Sequence, residues 1–251
     1  KNMFRSVEAS LNRLKTDRID LYWAHFADGM TPMEEIIPAF DDLMRAGKIH
    51  YAGLSNFPAW RISPGDLLAE IRRWGPIDGI QVEYTLAQRS TERELLPMAE
   101  ALGLGAALWS PLGGGFLTGK YRISAEGRIN SFLARLVHTE KTARETAILD
   151  ALVAIAKEIN LSPTEVALAW LLHKARLSTT ALIPILGPRT SEQLAGTLTA
   201  LEVNLSQEQI GRLDEASQIA FGTPHEQTHG SAAAIAGGKP ELLRSRVVPV
   251  A

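Results

Sequence analysis

Three stretches of this 251-residue sequence have residue types and spacing suited to chemistry. The first is LYWAHF, Leu21 to Phe26, where His25 closes an otherwise apolar run. An imidazole there can donate to a polarised oxygen or carry a proton near neutral pH. A structural histidine bonded to a neighbour is the plainer alternative. The second is GGGFLTGKY, ending in Lys120 and Tyr121. Its glycines break the helix and strand patterns on either side, and its lysine and tyrosine are titratable. The third is PHEQTHG, in which His225, Glu226 and His229 have zinc-hydrolase spacing. That chemistry needs one continuous helix. Pro224 and Gly230 leave room for barely more than one turn. The next carboxylate, Glu241, lies beyond AAAIAGGKP. The expectation is a packed C-terminal tail, with no metal ligand assigned. His50, His138 and His173 are not spaced as a cluster.

Composition removes other classes. With no cysteine there can be no disulfide, thiolate metal site or thiol nucleophile. The net charge of −2, with signs mixed, provides no basic face for nucleic acid or anionic membrane. No apolar stretch approaches the roughly 20 residues that span a bilayer. A cytoplasmic protein that binds neither nucleic acid nor membrane is the plain reading, with one main domain over 1–220 and a tail over 221–251.

The elements that must position these residues alternate regularly. A helical pattern (Met3, Phe4, Val7, Leu11, Leu14) runs into RIDLYWAHF, which reads as a buried strand. TPMEEIIPAFDDLMRAGK reads as a helix with a capping box from Thr31 to Glu34, Pro32 at its first position and Gly47 as its stop. Pro38 is expected to kink or break it. IHYAGLSN, IDGIQVEY, GAALWSPL and TTALIPIL read as further strands. SPGDLLAEIRRW, TERELLPMAEALG, 141–160, 163–176, SEQLAGTLTAL and SQEQIGRLDEAS read as helices. Ser162 and Glu165 form a second capping box. The early strands recur at roughly 30-residue intervals, the length of a βα unit. Residues 113–140 interrupt the rhythm with glycines and a polar loop.

Such alternation with apolar strands predicts an α/β fold with a parallel sheet. A dinucleotide-type doubly wound sheet would carry G-x-G-x-x-G after its first strand, and none is present. Polar residues instead mark successive strand ends: His25, Ser55 with Asn56, Gln81, and Trp109 with Ser110. A (β/α)8 barrel keeps its chemistry there. Five strands can be counted, which predicts a partial barrel.

SVEASLNRLKTDRIDLYWAHF, GLSNF, QVEY, WSPLGGGFLTGKY and ALIPILGPRTSEQL together resemble the aldo-keto reductase family, in order and over nearly the whole chain. The resemblance implies a barrel enzyme that passes a hydride between NADP(H) and an aldehyde or ketone carbonyl. It implies that His25 is the catalytic histidine beside that carbonyl. It places Ser55, Asn56 and Gln81 on the nicotinamide carboxamide and Trp109, where the family usually has tyrosine, on the nicotinamide face. Ser110, Leu112, Gly114 and Lys120 fall in the loop around the pyrophosphate. Gly187, Arg189 and Gln193 fall at the last strand–helix junction, with Arg189 suited to an adenosine 2′-phosphate. Thr197 stands where the family often has an adenine-contacting asparagine.

The family's catalytic aspartate, tyrosine and lysine have no counterpart from Lys1 onward. Tyr22 and Tyr51 lie within strands, while Tyr84 closes one and is the substitute best placed to reach a pocket; Tyr121 is the remaining tyrosine considered. The start at Lys1, inside a helical pattern, reads as part of a longer protein. The expectation is therefore a reductase impaired in the chain as it stands. The alternatives are a non-catalytic nucleotide-binding or interaction protein and a zinc hydrolase using HEQTH. Five strands of eight leave unpaired edges, which predicts self-association.

Overall fold

The computed structural model describes residues 1–122 and 137–239. The interrupting loop over 123–136, and the tail from residue 240 with Glu241, lie outside the described residues. Five strands form one sheet in the order β1-β2-β3-β4-β5. They are β1 (Ile19–Ala24), β2 (Ile49–Ser55), β3 (Gly79–Glu83), β4 (Gly105–Trp109) and β5 (Leu182–Pro184). β1 pairs with β2, and β2 with β3, in parallel. A spatial order equal to the chain order means that the winding never reverses. This is the progression of a β/α barrel and excludes the switch point of a doubly wound sheet. All five expected strands are present.

The chain divides into two compact units. The first comprises Lys1–Val82 with Glu94–Ala107. It holds α1 (Asn2–Leu14), α2 (Met33–Arg45), α3 (Ala59–Arg72) and α4 (Leu95–Leu102). Ile37, Phe40 and Leu43 of α2 are buried with Leu54 of β2 and Ile62 of α3, each contributing roughly 1.5–3 kcal/mol by leaving water. Pro38 does not break α2, which is continuous to Arg45. The buried flanking residues hold it against the cost of roughly 3 kcal/mol for an interior proline. Pro64 likewise lies inside α3, which starts four residues before the expected Ser63. The capping box at Thr31 does not form, since Pro32 takes the N-cap position. The Thr31 hydroxyl bonds Asp28 instead. β1 is not a buried strand: Leu21 is 39% exposed, and its partner Tyr51 is 55% exposed. β1 ends the sheet order, so nothing pairs with its outer side among the described residues.

The second unit comprises Glu83–Arg93 and the described residues from Leu108. α5 (Ala143–Glu158), α6 (Pro163–Leu177), α7 (Ser191–Leu198) and α8 (Gln207–Ala216) surround a core of Leu152, Ile155, Leu168, Trp170 and Leu213. The capping box at Ser162 and Glu165 is present and starts α6 where expected. α9 (His225–Ile235) corrects the expectation of barely more than one turn between Pro224 and Gly230, and none of its residues is buried. It runs through Gly230, a tolerated cost of about 1 kcal/mol.

Candidate functional site

Three strand ends of the first unit share one face. Trp23 is registered opposite Gly53, and Gly53 opposite Gly79. Two residues further on, Ser55 is registered opposite Gln81. Side chains alternate along a strand, so Ser55 and Gln81 rise on the face that carries Trp23. The Trp23 ring occupies the space left by the two glycines. A Cβ on Gly53 would stand 2.3 Å from the ring, and one on Gly79 would stand 3.5 Å from it. The indole is thus the floor beneath the polar row. Sequence reasoning missed it, although glycines inside GLSN and IDGI signal close approach.

Asn56 binds this row together. It has φ +55°, a left-handed conformation that asparagine tolerates better than most residues. Its main-chain N–H donates to the Gln81 carbonyl at 3.0 Å. Its Nδ2 donates to the His25 carbonyl at 3.2 Å and to Ser55 Oγ at 2.9 Å. Ser55 is fully buried. His25 follows the last residue of β1 and is exposed, its ring 4.4 Å from that of Phe26. His25, Ser55, Asn56 and Gln81 therefore lie at the ends of adjacent strands.

In the second unit, the chain leaving β4 makes a tight glycine turn. Ser110 has φ +53°, and Gly113, Gly114 and Gly115 have φ of +58°, +68° and +100°. Only glycine adopts such a run without strain. Ser110 Oγ accepts from the Gly114 N–H at 2.9 Å, and the Ser110 carbonyl accepts from Gly113 at 2.7 Å. The Leu112 carbonyl accepts from Gly115 and Leu117. Phe116 and Leu117 are buried and anchor the turn.

The chain leaving β5 faces the same space. Ile185 N–H donates to the Leu108 carbonyl at 2.9 Å, tying the end of β5 to β4. Gln193 Oε1 accepts from the Arg189 N–H at 2.8 Å, and Thr190 caps α7 by accepting from Gln193. The Thr197 hydroxyl donates back to the Leu194 carbonyl at 2.8 Å. Trp109, Ser110, Leu112, Gly114, Lys120, Gly187, Arg189, Gln193 and Thr197 all line one cavity of about 860 Å³. That volume suits a cofactor-sized ligand. Among the described residues, neither Lys120 nor Arg189 has a carboxylate within ion-pair distance. A dinucleotide phosphate fits this chemistry: a glycine turn for close approach and two cations not neutralised by carboxylates.

The cavity also takes in residues that the sequence did not assign to a site, including Thr118, Ser162, Glu165 and Thr199. Burial opposes ionisation of Glu165, but donation from the Ser162 main chain and the Thr199 hydroxyl outweighs it and holds the carboxyl below its usual range. An ionised group on this wall opposes a second anion there. Only the fold could reveal this, because Glu165 reads in sequence as a helix cap.

Other candidates fall elsewhere. Tyr84 is buried, and its hydroxyl donates to Glu92 at 2.5 Å. Burial first, and the neighbouring Glu92 charge second, push its pKa far up, and its proton is committed to Glu92. Glu92 is held by Arg89, which also bonds Asp214 and Ser217, while Trp170 and Lys174 bond Asp214. Tyr84 is thus part of a structural polar hub. His138, unassigned from sequence, bonds Glu83 at 2.8 Å, and its main chain donates to Gly113. His225 and His229 do share helix α9. Among the described residues no group of three or more potential ligands is assembled for a metal.

Strands in barrel order, each followed by a helix, define a β/α-barrel protein. The chain belongs to the aldo/keto reductase family, whose model matches residues 1–218. It is 39% identical over 211 residues to the uncharacterized oxidoreductase YrpG of Bacillus subtilis, covering 84% of this chain and 62% of that protein. It is 34% identical over 224 residues to norsolorinic acid reductase A of Aspergillus parasiticus, covering 89% of this chain and 55% of that protein. The putative aryl-alcohol dehydrogenase AAD10 of Saccharomyces cerevisiae is 31% identical over 226 residues, with 89% and 77% covered. The chain thus spans 62% and 55% of the length of the first two. Among the described residues no helix is long and apolar enough to cross a membrane.

Proposed function

We propose that this chain is the cofactor-binding portion of an NADP(H)-dependent oxidoreductase that reduces aldehyde or ketone carbonyls. The observation that carries the reading is the single cavity shared by Trp109–Lys120 and Gly187–Thr197, two segments far apart in sequence. When bound, the nicotinamide supplies or takes up the hydride. Trp109 offers it a stacking face. Within the first unit, Ser55, Asn56 and Gln81 keep the donors and acceptors that the family resemblance assigns to a carboxamide. The glycine turn, Ser110 and Lys120 hold the pyrophosphate, and Arg189 holds the 2′-phosphate, which favours NADP(H) over NAD(H). His25 donates to the carbonyl oxygen as negative charge grows there. Relatives named as reductases and aryl-alcohol dehydrogenases support carbonyl–alcohol chemistry on small molecules.

His25 is the one member of the family's catalytic set that these residues supply, and Tyr84 is committed to Glu92. Turnover by the chain alone is therefore expected to be very low, since proton donation lacks its general acid. The exposed Leu21 and Tyr51 beside the β1 edge favour self-association. The test is NADPH titration followed by Trp109 fluorescence, with Trp109→Phe as control. Saturable quenching that the control loses supports the reading; no saturable quenching removes it.

A further inference from the structure

We propose that Tyr121 is a positioning residue for anion binding, holding Lys120 at the cavity wall through the glycine turn. The proposal rests on the reading that this cavity takes a dinucleotide phosphate.

Lys120, Tyr121 and Arg122 form a single 3-10 turn, and the three side chains have different environments. The Arg122 guanidinium is neutralised: it bonds Glu140 at 2.6 Å and Asp150 at 2.7 Å. Those contacts pin the turn to Asp150 in the middle of α5 and to Glu140 ahead of that helix. Tyr121 ties the opposite side to the glycine turn, its hydroxyl donating to the Gly114 carbonyl at 3.1 Å. Lys120 lines the cavity and has no carboxylate partner among the described residues. Its Nζ lies 5.0 Å from the centroid of the Tyr121 ring, within cation–π range.

Gly115 completes the seat. A Cβ there would stand 3.0 Å from Lys120 Cε, 3.2 Å from Nζ and 3.4 Å from the Tyr121 hydroxyl. The ammonium end of Lys120 therefore lies between the bare Gly115 backbone and the Tyr121 ring. A free lysine must lose its rotamer freedom when it grips a phosphate. Confinement before binding removes part of that loss, as preorganised groups generally do. The ring holds the cation without neutralising it, which a carboxylate would do. Tyr121 thus does two jobs: its hydroxyl sets the turn, and its ring places the charge.

The experiment is calorimetric titration of NADPH, at low and moderate salt, into the full chain and into Lys120→Met, Tyr121→Phe, Tyr121→Leu and the Lys120→Met/Tyr121→Leu double variant. Lys120→Met should weaken binding by about tenfold and flatten its salt dependence. Tyr121→Leu should weaken binding several-fold in the parent chain but stay within about twofold in the Lys120→Met background. Tyr121→Phe, which keeps the ring and should fold, should fall between parent and Tyr121→Leu. Equal losses from Tyr121→Leu in both backgrounds would overturn the proposal, since Tyr121 would then not act through Lys120. Unchanged binding by Lys120→Met would overturn it too. Failure of the parent chain to bind NADPH would instead remove the cavity reading itself.

Discussion

The Asn56 side-chain amide donates to the His25 main-chain carbonyl at 3.2 Å, joining the ends of β1 and β2. The same nitrogen donates to Ser55, and the Asn56 main chain donates to Gln81. One left-handed residue therefore aligns three strand ends that carry the polar row. The side chain and the backbone conformation make separable contributions. Asn56→Gly keeps the backbone freedom and loses the two side-chain bonds. Asn56→Ala loses the bonds and also strains the left-handed conformation, so it should be less stable than Asn56→Gly by about 1 kcal/mol. Urea unfolding of the two variants checks the order, and an Asn56→Ala variant as stable as Asn56→Gly would contradict it.

The floor under that row is equally specific. Adding a methyl group at Gly53 places it 2.3 Å from the Trp23 ring, too close to be accommodated without moving the indole. Gly53→Ala should cost roughly 1–3 kcal/mol, the usual range for overpacking. It should also change tryptophan emission in the folded state. Gly47→Ala is a useful contrast: its Cβ would meet nothing within 4 Å, so any loss there comes from its φ of +68° alone.

Arg89 is the centre of the polar hub of the second unit, with its side chain 11% exposed and bonded to Glu92 and Asp214. Arg89→Met leaves two partly buried carboxylates short of a partner and should cost roughly 3–5 kcal/mol in thermal or urea unfolding. Arg122→Met removes as many ion pairs, but Arg122 is itself 32% exposed and its partners Glu140 and Asp150 are 28% and 62% exposed, so water replaces the contacts more readily. Its loss should be much smaller. Comparable losses in the two variants would refute this ranking.

Acid should reveal the turn before α2. Donation from the Thr31 hydroxyl, then from the Thr31 and Met30 main chains, holds the Asp28 carboxyl down at about 2, against its ordinary 3.8. The folded value is the lower one, so the bonds stabilise the fold above the ordinary value and are lost as pH falls toward 2. Asp28→Ala should be less stable than the parent at pH 7, and the gap should close between about pH 4 and pH 2. A gap independent of pH would show that the carboxylate charge is not what acts.

Much of the architecture was legible because apolar runs and capping residues are local signals. Each strand and the box at Ser162 followed from residues within a few positions. Thr31 misled because a threonine followed by proline can cap only if the helix starts there, and Pro32 instead took the cap. Pro38 misled because burial of Ile37, Phe40 and Leu43 outweighs a local penalty. The HEQTH helix was missed because α9 has no buried face to create periodicity. At the candidate site, the glycine turn and Arg189 were pointed to by the family resemblance of their motifs. Glu165 and Tyr121 were not, since their roles arise from segments distant in sequence or from the left-handed path of Gly113–Gly115.

The central claim is that the cavity lined by Lys120 and Arg189 holds NADP(H). Its most direct test is parallel calorimetric titration of NADPH and NADH into the parent chain and into Arg189→Ala. The parent is expected to bind saturably and one-to-one, tighter for NADPH, with Arg189→Ala losing about tenfold or more for NADPH and little for NADH. Equal affinity of the parent for both nucleotides, unaffected by Arg189→Ala, would contradict the 2′-phosphate assignment. Absence of binding to either would contradict the cofactor site altogether.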